Sequence, residues 1–374
     1  MSASRLVKQC VDSRGSGGLK LLIAGGGTGG HVIPAIAVAR EWLRRDERRD
    51  VVLVGTQRGI ESRLVPEAGL KLELIRSAGL KGMGMAQFIH NILLLRLAFW
   101  DSLAILRRHH FAAAFGVGGY AAGPVMLSAI ISGLPSVIFE PNAEAGFTNR
   151  VLADMATRIA AGFPSVAERL GRRALVTGCP VRAEFFDSPP PRPAPPYRIF
   201  ITGGSQGSRA VNRAVIDALK ILSSENRRMR IVHQTGERDY DSVRQAYAAT
   251  SIEAEVAPFF SRMAERFAEA DLIVCRSGAI TVAEVAAAGR AAIFIPFGAA
   301  TDSHQMRNAE ELLHAGAARL IPEPELSGGR LAREILALVD HPARLVELGT
   351  RTRELARPRA AEKIVDLIEE VARQ

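Results

Sequence analysis

Two stretches of the chain share one pattern, in which a run of apolar residues enters a glycine-rich loop and the loop enters a helix-like segment. They read Leu21-Leu-Ile-Ala-Gly-Gly-Gly-Thr-Gly-Gly30 and Ile199-Phe-Ile-Thr-Gly-Gly-Ser-Gln-Gly-Ser208. Because glycine permits the tight turn from a buried strand into a helix, this pattern is typical of α/β folds with parallel sheets. Its repetition predicts two similar α/β domains that face each other across a cleft.

Apolar runs alternate with helical patterns along the rest of the chain, which favours a parallel sheet in each half. A helix is expected at 34–45, with Pro34 near its start, and helical sequence is expected from 345 onward. The expected strands are 21–24, 51–54, 72–75, 112–116, 137–139, 197–202, 231–234, 272–275 and 292–295.

Six prolines within residues 188–196 divide the chain near its middle. Since proline lacks a backbone N–H and fixes φ, this segment can continue neither a helix nor a sheet. We therefore expect a flexible N-terminal extension (1–18), an N-terminal domain (19–187), a linker (188–196) and a C-terminal domain (197–374).

The composition excludes some classes of protein and leaves others open. The 374 residues are 48% hydrophobic and 23% charged, as in globular proteins, and three widely spaced cysteines argue against a disulfide scaffold or a zinc cluster. The 48 Lys and Arg residues exceed the 39 Asp and Glu residues, which leaves a formal net charge of +9. This positive net charge is compatible with binding to nucleic acid, to an anionic membrane surface or to an acidic substrate. It can also serve solubility alone. No nucleic-acid-binding motif is evident, so we expect no nucleic-acid partner.

Two apolar stretches bear on membrane association. Residues 111–139 carry no charged side chain, but seven glycines and prolines divide them, which favours a buried strand, a short helix and a second strand over a membrane span. Residues 88–100 are mostly apolar, with Arg96 among them and Lys81, Arg107 and Arg108 nearby. This second segment either buries one face in its own domain or rests on an anionic bilayer.

The glycine loops alone are a weak functional signal, because any tight strand–helix turn can use glycine. A bound dinucleotide would also require an acidic residue at the end of the second strand, which instead ends Val54-Gly-Thr-Gln57. The second loop lacks the Lys-Ser/Thr of a P-loop. A third cluster, Gly116-Val-Gly-Gly-Tyr120, also follows a predicted strand, and three such turns favour a diphosphate-bearing ligand at the strand ends.

Polar residues beside these loops have two interpretations each. His31 is either a base whose proton affinity is depressed by a helix start or the cap of a turn. Glu284 either binds paired sugar hydroxyls or is a solvated helix residue. His304 and Gln305 either bind sugar hydroxyls or cap a helix. The sequence has no cluster with metal-ligand spacing, so no metal is expected.

Six ordered motifs span the chain from about Leu19 to its end. They are Gly26-Gly-Thr-Gly-Gly-His-Val32, Gly116-Val-Gly-Gly-Tyr-Ala-Ala-Gly-Pro124, Glu140-Pro-Asn-Ala-Glu-Ala-Gly-Phe-Thr-Asn149, Gly178-Cys-Pro-Val-Arg182, Gly203-Gly-Ser-Gln-Gly207 and Cys275-Arg-Ser-Gly-Ala-Ile-Thr-Val-Ala-Glu284. In type and order they resemble the motifs of the MurG family, the bacterial N-acetylglucosaminyltransferases of peptidoglycan synthesis.

The resemblance implies an inverting GT-B glycosyltransferase with two Rossmann-like domains and no metal or cofactor. Such an enzyme moves GlcNAc from UDP-GlcNAc to the C4 hydroxyl of MurNAc in lipid I (undecaprenyl-diphospho-MurNAc-pentapeptide), which gives lipid II. The N-terminal domain would bind this acceptor and face the membrane, and the C-terminal domain would bind UDP-GlcNAc, with a last helix able to pack back on the first domain. The implied location is peripheral, on the cytoplasmic face of the inner membrane.

The resemblance also implies roles for residues near the reacting sugars. His31 would be the base, and Asn142 would lie with it at the reaction centre, near Thr28, Gly29 and Gly30. The lipid diphosphate would meet Gly27, Gly118, Gly119 and Tyr120.

For the donor, the backbone at Phe260 would read the uracil, Arg182 would lie against the nucleotide and Glu284 would hold the ribose. Gln305 would contact GlcNAc. The donor diphosphate would meet Ser205 and the turn formed by Ala279, Ile280, Thr281, Val282 and Ala283.

The chain departs from the family pattern at three positions. Pro141 stands where the family has Gln, Ser303 where it often has Asp, and Phe260 where Ile is common. The alternatives are a related glycolipid glycosyltransferase, a UDP-GlcNAc epimerase on the same architecture, or a non-catalytic nucleotide-sugar or lipid-anchoring module.

Overall fold

The computed structural model describes residues 18–77, 85–225, 227–298 and 304–374, and of residues 85–93 the backbone only. Within these ranges the chain forms two parallel β-sheets flanked by helices. The first sheet has the strand order β3-β2-β1-β4-β5-β6-β7. Its strands are β1 (Lys20–Gly25), β2 (Asp50–Gly55), β3 (Lys71–Leu74), β4 (Ala113–Gly118), β5 (Ser136–Glu140), β6 (Arg158–Ala161) and β7 (Ala174–Val176).

The second sheet has the order β10-β9-β8-β11-β12-β13, with β8 at its centre. In both sheets the order reverses beside the strand that enters a glycine loop, which is the switch point where α/β proteins bind ligands. The strands are β8 (Tyr197–Thr202), β9 (Met229–Gln234), β10 (Glu253–Ala257), β11 (Leu272–Cys275), β12 (Ala291–Phe294) and β13 (Arg319–Leu320).

Helices connect these strands in the pattern expected of parallel sheets. The helices that precede β8 are α1 (Gly29–Arg44), α2 (Glu61–Glu67), α3 (Met85–Arg108), α4 (Ala122–Ile131), α5 (Phe147–Ala153) and α6 (Pro164–Leu170). Those that follow β8 are α7 (Arg209–Ser224), α8 (Tyr240–Ala248), α9 (Met263–Glu269), α10 (Ala279–Ala288), α11 (His304–His314), α12 (Gly328–Val339), α13 (Pro342–Glu354) and α14 (Ala360–Ala372).

Burial explains why the central strands were predictable. Residues 21–24 of β1 and 272–275 of β11 are fully buried, because helices cover both faces of a parallel sheet. All nine expected strands are present within one or two residues of their predicted limits. The short strands β6, β7 and β13 and the edge strand β10 were not predicted, since they carry only two to five residues and β10 includes Glu253 and Glu255.

One helix start was predicted wrongly. Helix α1 begins at Gly29 rather than at Pro34, which lies inside the helix. Thr28 has an extended backbone, and its carbonyl group accepts hydrogen bonds from the N–H groups of His31 and Val32, so the glycine loop enters the helix directly. Pro34 then removes one hydrogen bond, the one that residue 34 would donate to the Gly30 carbonyl group.

The uncharged stretch 111–139 folds as predicted, into β4, α4 and β5. Among the helices of the described ranges, none has an apolar run of the length that crosses a bilayer. The proline-rich residues 188–196 contain neither helix nor strand.

Two compact units divide the chain. Unit 1 comprises Met1–Phe139, Phe147–Ile159 and Ala361–Gln374, and unit 2 comprises Glu140–Gly146 and Ala160–Ala360. The domain limits expected from the sequence, 19–187 and 197–374, stay a prediction.

Candidate functional site: glycine loops of two units

In unit 1, the first and third glycine clusters meet at His31. Gly118 and Gly119 have φ values of 92° and 84°, which side-chain-bearing residues rarely adopt. A Cβ atom on Gly118 would lie 3.4 Å from His31 Nε2, and one on Gly119 would lie 2.4 Å from the Gly26 carbonyl oxygen. The positive φ values therefore favour glycine at both positions, and at Gly119 the close approach to the Gly26 carbonyl group requires it as well.

His31 is half-buried within this pair of loops. Its Nδ1 lies 3.1 Å from Thr28 Oγ1, at hydrogen-bonding distance. Burial lowers the pKa of the imidazole, against the opposing influences of the Glu61 charge and a hydrogen bond to the Gly26 carbonyl group. The ring is therefore neutral at neutral pH and available as a proton acceptor.

The other candidates of unit 1 surround the same ring. Gly29 and Gly30 form the first turn of α1, where backbone N–H groups have no acceptor within the helix. A Cβ atom on Gly27 would lie 2.7 Å from the Tyr120 ring, so these two candidates for the lipid diphosphate are also neighbours. Sequence reasoning missed Glu61, whose Oε2 accepts a hydrogen bond of 2.8 Å from the Gly27 N–H.

In unit 2, the loop after β8 leaves Ser205 exposed next to Gly204, which has φ of 92°. Ser208 caps α7 by accepting from the Val211 N–H, and it also accepts from Arg276 Nη2 at 2.6 Å. Arg276, another residue that sequence reasoning missed, is buried and pairs with Glu323 at 2.5 Å. This guanidinium group joins the loop after β8 to the loops after β11 and β12.

The Phe260 backbone N–H already has a partner in the protein. It donates to Gln234 Oε1 at 2.9 Å, while Gln234 Nε2 donates to Thr202 Oγ1 and to the Gly204 carbonyl group. Gln234 is fully buried and was not identified from the sequence. If the Phe260 backbone contacts uracil, its N–H must be shared with Gln234.

Glu284 is partly exposed. It lies on α10, which begins at Ala279 after Gly278. Burial raises the pKa of the Glu284 carboxyl to about 7, and the positive charge of Arg182 acts in the opposite direction. Arg182 is exposed, with its guanidinium 5.2 Å from the centre of the Phe185 ring.

The remaining donor-side candidates lie on α10 and α11. Ala279, Ile280 and Val282 are buried, while Thr281 and Ala283 are partly exposed. The side-chain oxygen of Gln305 accepts from the Phe297 N–H at 3.0 Å, and its backbone carbonyl accepts from Ser277 Oγ. Ser303 lies outside the described residues.

Asn142 is held by polar partners on both sides. Its Nδ2 donates to Glu140 Oε1 at 3.0 Å, and its Oδ1 accepts from Asn308 Nδ2 at 3.2 Å. Asn308 also accepts from the Ala143 N–H and donates to the Ser277 carbonyl group. This fully buried residue, not foreseen from the sequence, therefore joins the Asn142 segment to the loop that precedes α10. The Pro141 carbonyl faces the protein, where it accepts from Cys179 Sγ.

Comparison with known proteins defines the class. Residues 21–161 match the glycosyltransferase family 28 N-terminal domain, and residues 198–370 match the family 28 C-terminal domain. The chain is therefore a family 28 glycosyltransferase of the GT-B fold. A crystal structure of MurG from Acinetobacter baumannii is similar, with a TM-score of 0.79 and 32% identity over 94% of this chain and 99% of that one.

Curated relatives narrow the assignment. A UDP-N-acetylglucosamine–N-acetylmuramyl-(pentapeptide) pyrophosphoryl-undecaprenol N-acetylglucosamine transferase from Solibacter usitatus is 44% identical over 94% of this chain and 96% of its own length. One of the same name from an Anaeromyxobacter species is 43% identical over 95% of this chain and 94% of its own. The chain belongs to this family, the MurG transferases. A UDP-GlcNAc 2-epimerase from Neisseria meningitidis has a TM-score of 0.67 but only 12% identity, so it shares the fold alone.

Proposed function

We propose that the protein transfers GlcNAc from UDP-GlcNAc to the C4 hydroxyl of MurNAc in lipid I, with inversion, to give lipid II for peptidoglycan synthesis. The observation that carries this proposal is the identity of 44% to a named transferase over 94% of the chain. The related epimerases have no comparable identity, which is why transfer is favoured over epimerisation.

His31 is the residue proposed to accept the proton of the acceptor hydroxyl. The tautomer with its hydrogen on Nδ1 donates to Thr28 Oγ1 and leaves the lone pair on Nε2, next to Gly118. As that proton leaves, the hydroxyl oxygen attacks the anomeric carbon of GlcNAc and the bond to the UDP oxygen breaks. The lipid diphosphate and the reacting sugars are proposed to bind at Gly29, Gly30, Gly118, Gly119 and Tyr120.

The donor is proposed to bind unit 2. Glu284 would accept hydrogen bonds from the ribose hydroxyls, and Arg182 would lie against the nucleotide. The first turn of α10 and Ser205 would stabilise the diphosphate, because helix-start N–H groups and their partial positive charge favour the UDP leaving group. Asn142 and Gln305 would orient GlcNAc.

A transfer assay tests the proposal. The protein is incubated with radiolabelled UDP-GlcNAc and a lipid I analogue, and the lipid extract is analysed for labelled disaccharide. We expect a lipid II product, and we expect His31→Ala to lower kcat by about 100-fold or more, the usual contribution of a general base. Free epimer, a different glycolipid, or binding without turnover would contradict the proposed reaction. Near-normal turnover in His31→Ala would contradict the assignment of the base alone.

We also propose that the protein acts at the cytoplasmic face of the inner membrane as a peripheral protein. Helices α3, α4 and α5 of unit 1 expose large apolar side chains, and Arg96, Arg107 and Arg150 on α3 and α5 are exposed as well. Apolar and basic side chains together suit an anionic lipid surface. Lys81 and the side chains of 88–93, part of the segment that either buries one face in its own domain or rests on an anionic bilayer, lie outside the described residues. The exposed apolar side chains are Leu97, Trp100, Ile131, Phe147 and Val151.

A further inference from the structure

Glu61 is a buried carboxylate of unit 1 to which the proposed reaction has so far given no role. It is the first residue of α2, six positions after the last residue of β2, and only 1% of its surface is exposed. Buried carboxylates are rare unless their oxygens are satisfied by hydrogen bonds or charges. Its contacts therefore indicate what it does.

Hydrogen bonds join Glu61 to two loops. Its Oε2 accepts from the Gly27 N–H at 2.8 Å, and its Oε1 accepts from the Thr56 N–H and from Thr56 Oγ1, both at 2.9 Å. Since the Thr56 hydroxyl hydrogen is donated to Glu61, the Tyr120 hydroxyl 3.2 Å away must donate to Thr56 Oγ1. One carboxylate thus connects the loops that follow β1 and β2 directly, and the loop that follows β4 through Thr56.

Three glycines make room for this carboxylate. A Cβ atom on Gly26, Gly55 or Gly59 would lie 2.3, 2.4 or 2.0 Å from the Glu61 side chain. Real Cβ atoms do not approach other atoms so closely, so a side chain at any of the three positions would displace the Glu61 carboxylate from its hydrogen bonds. Gly26, in the first glycine cluster, therefore leaves the space that the Glu61 carboxylate occupies.

This arrangement changes the expected role of Gly27. Its N–H was a candidate donor to the lipid diphosphate, but the structure shows it bound to Glu61. Gly27 therefore serves to anchor the loop, and the N–H groups of Gly29 and Gly30 are the better candidates for contact with an anion.

Glu61 also acts on His31 electrostatically. The loops after β1 and β4 pack around the imidazole. From them, Gly26, Gly118 and Gly119 bring no charge, and among the described residues of this loop cluster the titratable side chains are Glu61 and Tyr120. The Glu61 charge raises the pKa of His31 and so partly offsets the effect of burial.

We propose that Glu61 is a positioning residue, whose carboxylate fixes the loop that carries His31 and whose negative charge acts on the imidazole. Its catalytic consequence rests on the proposed transferase function. Glu61 does not touch substrate in this proposal and acts only through Gly27, Thr56 and His31.

Glu61→Gln tests the proposal, because glutamine keeps the shape and one acceptor oxygen but removes the charge. The matched control is Glu67→Gln, the same charge change at an exposed position of the same helix. The first readout is the NMR titration of the His31 imidazole, assigned by comparison with His31→Ala, in the folded protein without substrate. We expect the pKa of His31 to fall in Glu61→Gln, because the charge that raises it is removed, and to stay unchanged in Glu67→Gln.

The second readout is the pH profile of kcat/KM for transfer. Since a weaker base is deprotonated at lower pH, the acidic limb should move to lower pH in Glu61→Gln, with kcat reduced and KM for UDP-GlcNAc unchanged. An unshifted His31 titration in folded Glu61→Gln overturns the proposal. If that variant does not fold, Glu61→Asp is tested instead, because it keeps the charge but withdraws the carboxylate from Gly27. In Glu61→Asp we expect kcat to fall about tenfold with little change in the His31 titration. A wild-type kcat in Glu61→Asp overturns it.

The two proposals fail separately in these experiments. The titration needs no substrate and reports on Glu61 and His31 alone. Absence of lipid II formation by the wild-type protein would contradict the transferase function and leave the titration result standing.

Discussion

The Glu284 carboxyl changes protonation in the range where the protein would work. Burial raises its pKa to about 7, so at neutral pH roughly half of the molecules carry it protonated. The ionised form accepts hydrogen bonds from both ribose hydroxyls more strongly, because both of its oxygens are charged acceptors, whereas the protonated form keeps one oxygen as a hydroxyl donor. If Glu284 holds the ribose, the affinity for the donor should fall as the pH falls from 8 to 6.

This first prediction is checked by calorimetric titration with UDP-GlcNAc. That ligand is preferable to UDP, because a terminal phosphate itself titrates near pH 6. Glu284→Gln should bind donor about 10- to 100-fold more weakly at pH 8, since a hydrogen bond to a charged group contributes about 1.5–3 kcal/mol, and its affinity should not vary between pH 6 and 8. Unchanged affinity in Glu284→Gln would remove Glu284 from the ribose site.

Gln234 supports a second prediction at the residue scale. Its amide holds the Phe260 N–H, Thr202 Oγ1 and the Gly204 carbonyl group, and it is fully buried. Gln234→Leu would leave buried polar groups unpaired, at about 1–3 kcal/mol for each. We expect a lower Tm and a weaker response of Tm to UDP, measured by thermal unfolding with and without the nucleotide.

The control for Gln234 is Gln245→Leu, an exposed glutamine on α8. It should leave both the Tm and the stabilisation by UDP unchanged. If Gln234→Leu lowers Tm but its remaining stabilisation by UDP equals that of the wild type, Gln234 supports the fold and not the nucleotide site.

At the scale of elements, helix α14 is joined to α1 within unit 1 by ion pairs. Arg45, the residue that follows α1, contacts Glu369 at 2.9 Å, Asp366 at 2.8 Å and Glu41 of α1 at 2.9 Å. Arg49 also contacts Glu369 at 2.9 Å. Only 19% of the Arg45 side chain is exposed, so these pairs are screened less than ordinary surface pairs.

We predict that Arg45→Ala destabilises the protein by about 1–3 kcal/mol at pH 7, between the effects of surface and buried pairs. Arg44→Ala is the control, because Arg44 is exposed and pairs only with Glu41 among these residues. Urea unfolding measures both. Equal loss in the two variants would show that the contacts to α14 do not stabilise the fold.

The same pairs should weaken in acid. Burial raises the pKa of Glu369, but Arg45 and Arg49 more than offset it, so the pKa is lowered overall. A carboxyl with a lowered folded-state pKa stabilises the fold above its ordinary pKa, near 4.5, and this contribution is lost as the pH falls through the lowered value. The difference between wild type and Arg45→Ala should therefore shrink when urea unfolding is repeated below that range.

An element could be predicted from the sequence when the residues that determine it lie next to one another in the chain. Strand β1 and stretch 111–139 were predictable because burial on both faces demands unbroken apolar runs, and glycine and proline mark their ends. Edge strand β10 carries two glutamates on its half-exposed surface and lacks that signal. Gln234, Asn308 and Glu61 could not be identified, because each acquires its role only when loops distant in sequence meet. The candidate site residues His31 and Glu284 were proposed from their places beside glycine loops and from the family resemblance.

At the scale of the whole molecule, the net charge of +9 admits an anionic surface as a partner. The local test concerns α3, where Trp100 is 60% exposed and Arg96 and Arg107 are exposed nearby in sequence. Arg108 pairs with Glu73 at 2.7 Å, so its substitution would disturb the fold as well as the charge. A charge-reversal variant should therefore change Arg96 and Arg107 and leave Arg108 in place.

We predict that Arg96→Glu/Arg107→Glu weakens binding to vesicles of phosphatidylglycerol by about 30-fold or more, since each basic residue near an anionic surface contributes about 1 kcal/mol. Co-sedimentation at low and high salt measures it, and the loss should shrink at high salt because screening removes the attraction. The control is Arg213→Glu/Arg238→Glu in unit 2, both exposed, which lowers the net charge by the same four units. Equal loss in both double variants would mean that net charge alone attracts the protein, whereas loss in the α3 variant alone assigns the membrane contact to unit 1.

Trp100→Ala should weaken binding with little dependence on salt, because that side chain would contribute apolar burial rather than charge.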